Sequence, residues 1–274
     1  PLGVIGVTPG PMQAAADRIA DYLRGRIRQI VDDPAVAELL CPTTYPFGSK
    51  RLCVDTGYYQ AFNRSNVDLV DLNATPITRV TPDGIETTCG FSRVDDIVLA
   101  TGFDAMTGSL AKIAIRGRGG MTLAEKWHSG PQTYLGMMSS SFPNLFIVTG
   151  PGSPSVMSNM VVSIEQHVDW IVELLAIMRQ KGHLVVEALN NSENVWGDHV
   201  NAVAAPTIFL QANSWYLGAN VPGKPRVFMP YLGGVGTYRT ICDEIAARSY
   251  PGFAFDDVPV QAELPQFAAF LPAG

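Results

Sequence analysis

Apolar residues return at helical spacing near the start of the chain. Over residues 14–31, Ile19, Leu23, Ile27, Ile30 and Val31 recur in this way, with Arg24, Arg26 and Arg28 mostly on other faces. The pattern predicts an amphipathic helix. Asp33-Pro34 predicts a second, short helix, because Asp supplies an N-cap oxygen and Pro suits the first helical position. Residues 42–48 predict a loop. The pattern then turns to strands, with residues 67–70 a first candidate. Residues 77–80 and 85–88 flank Pro82-Asp83-Gly84, whose turn chemistry predicts a hairpin. Two continuous apolar runs, Ile97-Val98-Leu99-Ala100 and Leu145-Phe146-Ile147-Val148, predict fully buried, parallel strands.

The second run leads into Thr149-Gly150-Pro151-Gly152-Ser153-Pro154 and then a helix in which Val161, Ile164, Val168, Ile171, Leu175 and Met178 keep one apolar face. Strand, glycine turn and helix together form half of a nucleotide-binding unit. Helical signals resume over residues 193–204. A loop rich in Gly, Pro, Asn and aromatics covers residues 206–236, and a last helix covers residues 240–247. The tail after Phe255 is rich in Pro and Ala and is expected to be loosely held. No internal repeat is present.

With 274 residues, 47% of them hydrophobic and 16% charged, the chain can bury a real core and falls outside the disordered class. A formal net charge of −6 gives no support to nucleic-acid binding. Cys41, Cys53, Cys89 and Cys242 form no CxxC pair, and His128, His167, His183 and His199 are scattered, so a zinc site is not expected. The cysteine usage suits a reducing compartment, and a cytoplasmic location is expected. No apolar run reaches the ~18 residues of a membrane span. The segment Pro1 to Val7 lacks a basic region and does not read as a signal peptide. The absence of an initiator Met leads us to expect a piece of a longer protein.

Four segments carry candidate chemistry. In Asp95-Asp96-Ile97-Val98-Leu99-Ala100-Thr101-Gly102-Phe103-Asp104, an apolar run ends in a small-residue turn around Gly102. Such a turn lets backbone approach a flat cofactor, or is simply the end of a strand. In Tyr45-Pro46-Phe47-Gly48-Ser49-Lys50-Arg51, two cations follow a tight aromatic and glycine loop. Adjacent cations are commonly a solvated pair, yet a Lys can hold a phosphate as a point charge and an Arg can stabilise an anion with its fork of donors. Residues 214–225 place Trp215 in a Gly/Pro loop, either as a hydrophobic plug or as part of a lid over a cofactor. In residues 150–160, the N–H groups at the start of the following helix can face a flavin edge where negative charge builds up, unless the turn holds no ligand.

These strings, in this order and at compatible spacing, resemble the Baeyer-Villiger monooxygenases, class B flavin enzymes, over residues 14–253. The match is to their C-terminal half and to the phenylacetone monooxygenase subgroup of the family. The resemblance implies an α/β fold, the C-terminal part of a flavoprotein with two Rossmann-like domains, for FAD and NADP, and a helical insertion. Residues 1–100 would finish the NADP domain and the end of that insertion. Residues 101–274 would finish the FAD domain, including a control loop at about 206–224. The implied activity is oxidation of a ketone to an ester or lactone with NADPH and O2, through a C4a-peroxyflavin.

Carried over position by position, Lys50 contacts the 2′-phosphate of NADP, and Arg51 is catalytic, stabilising the anionic peroxide beside NADP. Trp215 contacts NADP. Gly102, Asn159 and Met160 lie on the FAD side, and Ser155, Val156 and Met157 shape the substrate pocket. The family's GxGxxG loops are absent from this sequence, so the N-terminal half of the same polypeptide is the expected partner. The alternatives are a related enzyme that oxygenates nitrogen or sulfur, or a non-catalytic fragment.

Overall fold

A computed structural model describes residues 9–271; the segment Pro1 to Val7 lies outside the described residues. The chain divides into two compact units, residues 13–102 and residues 103 onward.

Helix α1 (Pro9–Ile30), which enters the first unit at Gln13, is followed there by α2 (Pro34–Leu40). Ile27 and Val31 of the first meet Ala37 and Cys41 of the second in a small buried cluster. The expected cap is present: Asp33 accepts from the amides of Ala35 and Val36, satisfying donors that a helix start leaves open. Arg28 grips Glu38 through two hydrogen bonds of 2.5 and 3.0 Å. A short helix α3 (Tyr58–Ala61) precedes the hairpin. Strands β1 (Ile77–Thr81) and β2 (Gly84–Thr87) pair antiparallel around Pro82-Asp83, and β3 (Gly90–Arg93) adds a third strand the pattern did not announce.

Two expected strands of this unit are not formed. Residues 67–70 and 97–100 carry no strand. In the second of these, Val98 is 89% and Leu99 80% exposed. A parallel strand exists only through neighbours on its hydrogen-bonding edges, and no described strand pairs with either run.

The second unit contains α4 (Gly108–Lys112), α5 (Leu123–Lys126), α6 (Met160–Lys181), α7 (Asn190–Ala204) and α8 (Val235–Ala247). Its sheet is antiparallel in the order β4 (Val186–Ala188), β5 (Phe253–Phe255), β6 (Val258–Pro259). Trp170 and Leu174 of α6, Trp196 of α7, Tyr238 and Ile241 of α8 and Phe253 of β5 form the centre of its core. The run at residues 145–148 is not the expected parallel strand. It is an extended strap whose Ile147 amide donates to Met137 O at 2.7 Å, with the Ile147 side chain in a satellite cluster beside Leu123, Trp127 and Phe142.

The buried face of α6 also differs from the expected one. Ser163, Gln166, His167, Trp170, Ile171, Leu174 and Met178 face inward, whereas Val161, Ile164, Val168 and Leu175 are exposed. Gly182, at φ 75°, ends this helix in the left-handed conformation that glycine adopts without steric cost. The tail is better held than its composition suggests. Phe267 is buried, its ring 5.4 Å from Trp196 and 5.5 Å from His199.

Candidate functional site

The glycine turn between the residue 145–148 strap and α6 is held at nearly every backbone group. The Thr149 amide donates to His167 Nδ1 (3.0 Å), and the Gly150 amide donates to Gly136 O (3.1 Å). Pro151 O accepts from Thr133 Oγ1 (2.5 Å) and Gly152 O from Trp196 Nε1 (3.0 Å). The Gly152 amide reaches Met229 O at 2.6 Å, and Ser153 O accepts from the Tyr231 amide at 2.8 Å. A turn with its donors and acceptors satisfied by six residues outside it has a defined shape. Glycine is required twice. A Cβ on Gly150 would lie 2.5 Å from Gly136 O, and Gly152 sits at φ +86°.

Past the turn, Ser155–Met157 forms one 3-10 turn and Asn159 caps α6, its Oδ1 accepting from the Val161 amide at 3.0 Å. Thr149 (φ 54°), Ser155 (φ 43°) and Met106 (φ 67°) are all left-handed, a conformation that costs a non-glycine residue about 1–2 kcal/mol. Ser155 Oγ lies 3.9 Å from Met106 Sδ and 4.0 Å from Met160 Sδ. Ser155, Val156, Met157, Asn159 and Met160 therefore share one end of α6. Asn159 is exposed, Ser155 is buried, and the other three are half-buried.

His167 is buried, and desolvation lowers its pKa to about 4. Its Nε2 lies 2.9 Å from the Tyr238 hydroxyl, which donates onward to Leu135 O at 2.5 Å. Behind Gly152 lies a cavity of about 640 Å³, lined among others by Lys126, Gln132, Asp198 and Met229. At its edge the fully buried Glu193 carboxylate accepts from Lys126 Nζ at 2.8 Å, from the Ser140 amide at 2.6 Å and from Ser139 Oγ at 2.9 Å. A buried carboxylate with this many donors is a satisfied structural group.

Trp215 opens the 3-10 turn Trp215–Leu217. It is half-buried, with its ring 4.3 Å from that of Tyr216. Leu217 O accepts from the Val227 amide (3.2 Å) and Tyr216 O from the Met229 amide (2.9 Å). The segment from Val227 to Tyr231 thus bonds to the Trp215 turn at one end and to the glycine turn at the other.

Lys50, Arg51 and Gly102 belong to the first unit. Ser49 is fully buried and its hydroxyl donates to Pro46 O at 2.6 Å, which closes the loop ahead of the two cations. The Lys50 ammonium sits 4.2 Å over the Tyr45 ring. Arg51 is exposed, and no hydrogen bond or ion pair among the described residues holds its guanidinium. Gly102 is exposed at φ +83°, with nothing within 4 Å of where a Cβ would be.

Sequence reasoning missed Met106, Thr133, Trp196 and Tyr231, which meet the turn from distant parts of the chain. His167 alone had a local signal, a histidine on the same helical face as Ser163, Trp170 and Leu174.

No protein-family model matches the chain. It is 40% identical over 245 residues to a Baeyer-Villiger monooxygenase of Pseudooceanicola batsensis, covering 89% of this chain and 44% of that protein. It is 38% identical over 256 residues to a phenazine N-monooxygenase of Lysobacter antibioticus, covering 93% of this chain and 46% of that protein. Among solved structures, an oxidised steroid monooxygenase bound to NADP superposes with a TM-score of 0.81 at 49% identity, over 90% of this chain and 46% of that one. The chain thus spans somewhat less than half the length of the relatives it matches. In sequence and in fold the chain is similar, over about nine-tenths of its own length, to the α/β C-terminal region of Baeyer-Villiger monooxygenases.

Proposed function

We propose that this chain is the C-terminal half of an FAD- and NADPH-dependent monooxygenase that converts ketones to esters or lactones with O2. The observation that carries this is the fold match, a TM-score of 0.81 at 49% identity over nine-tenths of the chain, joined to the four motifs in order. FAD, reduced by NADPH, supplies the activation of O2.

The residues present fit such cofactors. Arg51 presents an uncommitted guanidinium, and Lys50 stands beside it on a buttressed loop. The turn ahead of α6 is fixed in shape. The α6 N-terminus carries the positive end of the helix dipole, suited to a flavin edge that gains negative charge on reduction. Met160 and Asn159 border the flavin in this reading, and Gly102 gives backbone close approach on the FAD side. Lys50 holds the 2′-phosphate as a point charge. Arg51 holds negative charge that develops on oxygen before transfer to the ketone, and stays charged at any working pH. Trp215 covers the nicotinamide end and keeps water out. Ser155, Val156 and Met157 shape the ketone pocket. The N-terminal half of the polypeptide supplies the phosphate-binding glycine loops that residues 1–274 lack. Residues 1–100 finish the NADP domain with the end of its helical insertion, and residues 101–274 finish the FAD domain. The four cysteines are unpaired, which suits a reducing, cytoplasmic setting.

The likeness to a phenazine N-monooxygenase favours a second reading, oxygen transfer to nitrogen. Assaying ketones and N-heterocycles with one preparation separates the two. The test of the main reading is Arg51→Ala in the full-length protein. Losing a fixed charge from a dry site removes about 3–4 kcal/mol of transition-state stabilisation, so ester formation falls by two to three orders of magnitude, while flavin reduction by NADPH persists. Lys50→Ala weakens NADPH and leaves NADH unchanged. Stopped-flow reduction kinetics with product analysis reads both, and ester formation by Arg51→Ala near the wild-type rate overturns the assignment.

A further inference from the structure

The Trp215 loop has two differently anchored halves. Tyr216 and Leu217 are buried in the core. Beyond Gly218, at φ +70°, the chain runs over a cavity of about 590 Å³ lined in part by Asp104, Thr107, Trp127, His128, Pro222 and Lys224. With space beneath most of it and only Ala219 packed against the core, this outer half depends largely on polar ties for its position.

Those ties converge on three consecutive residues. Asn220 Nδ2 donates to Phe103 O at 2.9 Å, and Lys224 Nζ donates to Asp104 Oδ1 at 2.5 Å and to Ala105 O at 3.0 Å. The Lys224 side chain is 13% exposed and that of Asp104 34%, so the pair is better shielded than an ordinary surface bridge. The Lys224 stem passes over Gly218, where a Cβ would meet its Cγ and Cδ at 3.2 Å. Gly218 is itself bonded to the Trp215 carbonyl through its amide, at 3.1 Å. A displacement of Lys224 therefore reaches the Trp215 turn through direct contacts.

We propose that Lys224 and Asp104, with Asn220 as a second tie, form a latch that positions the Trp215 loop for the nicotinamide cofactor. The pair acts through the loop and touches no reacting atom. The inference rests on the proposed monooxygenase reading, in which Trp215 meets the nicotinamide.

The test uses the full-length, flavin-loaded protein and the variants Lys224→Met, Asp104→Asn, Asn220→Ala, the Lys224→Met/Asp104→Asn double, and the swap Lys224→Asp/Asp104→Lys. Hydrogen–deuterium exchange of peptides within residues 214–226 reports loop position without turnover. Each single variant is expected to speed exchange about fivefold, the scale of one coupled contact. The double variant should be no faster than the singles, because they break one interaction. The swap should recover slower exchange. The same variants should raise KM for NADPH about fivefold and leave the limiting rate of flavin reduction unchanged, a split that general destabilisation does not produce. Exchange at the wild-type rate in both Lys224→Met and Asn220→Ala overturns the latch, as does additive behaviour in the double variant. If Lys224→Met fails to fold, the exposed Asn220→Ala decides alone. A wild-type protein that oxygenates no ketone overturns the proposed function and leaves the exchange result standing.

Discussion

Hydrogen bonding fixes the tautomer of His167. The Thr149 amide donates into Nδ1, so that nitrogen carries no proton. The Tyr238 hydroxyl spends its own proton on Leu135 O, so Nε2 must donate to Tyr238. A second proton would charge a group with no exposed surface, and the hydrogen bond to the Ile147 backbone only partly offsets that cost. Burial accordingly lowers His167 to about 4, and does the same to His199 beside Tyr231. An unfolded histidine titrates near 6.5. As pH falls below that value the unfolded state takes up protons that the folded state refuses. Stability is therefore full above about 6.5, declines as pH falls towards about 4, and levels off below. Each histidine contributes a loss on the order of 1–2 kcal/mol between pH 7 and pH 5. His199→Phe keeps a ring in the cluster with Trp196, Tyr231 and Phe267 and removes one titration. At pH 7 the variant should lose about 1 kcal/mol, because the Tyr231 hydroxyl is left short of a partner. Its slope of stability against pH should be visibly smaller than that of wild type. Urea denaturation at pH 5, 6 and 7 measures this, and equal slopes would rule the assignment out.

Helix α6 has apolar residues on two faces and uses one of them. Trp170, Ile171, Leu174 and Met178 are buried, while Val161, Val162, Ile164, Val168, Val172 and Leu175 are exposed. A stripe of six exposed branched side chains is more than a solvated helix carries. In the proposed enzyme the N-terminal half covers it. Val168→Glu with Val172→Glu should leave the thermal transition of the isolated chain within about 0.5 kcal/mol per substitution, since neither side chain is buried in it. The same variant should fail to co-purify with a separately expressed N-terminal half, and undiminished co-purification would remove this face from the interface. The two-faced helix also shows what the sequence can and cannot convey. Local signals were legible: the Asp33 cap, the Pro82-Asp83 hairpin and the turn before α6 follow from the chemistry of a few adjacent residues. Periodicity marked α6 as apolar but could not choose between its faces, because that choice belongs to the rest of the molecule. The turn's supports at Thr133, Trp196 and Tyr231 lie 18 to 78 residues away from the Pro151, Gly152 and Ser153 carbonyls they bond and carry no motif. Apolar runs at residues 97–100 and 145–148 have strand composition, yet a strand is a property of a pair.

For the whole molecule, what matters is that the chain covers about 45% of the length of its relatives. Its sequence contains no GxGxxG, the loop whose backbone amides and following helix N-terminus seat a dinucleotide pyrophosphate. The groups it does offer a flavin in our reading, the α6 N-terminus and the Ser155–Met160 segment, address the ring and leave the pyrophosphate without a seat. Ring contacts alone forfeit the charge-assisted hydrogen bonds that phosphate oxygens accept. Meanwhile Val98, Leu99 and Phe103 stand 89, 80 and 88% exposed, apolar surface that favours self-association. The 274-residue chain purified alone should therefore be colourless, hold FAD weakly and aggregate as its concentration rises. Co-expression with the proposed N-terminal half should yield a yellow complex that keeps its flavin through gel filtration. A visible absorbance spectrum and light scattering on both preparations decide the matter. Stoichiometric flavin on the monodisperse chain alone would mean that residues 1–274 contain a complete FAD seat, and that the partition of the site between two halves is wrong.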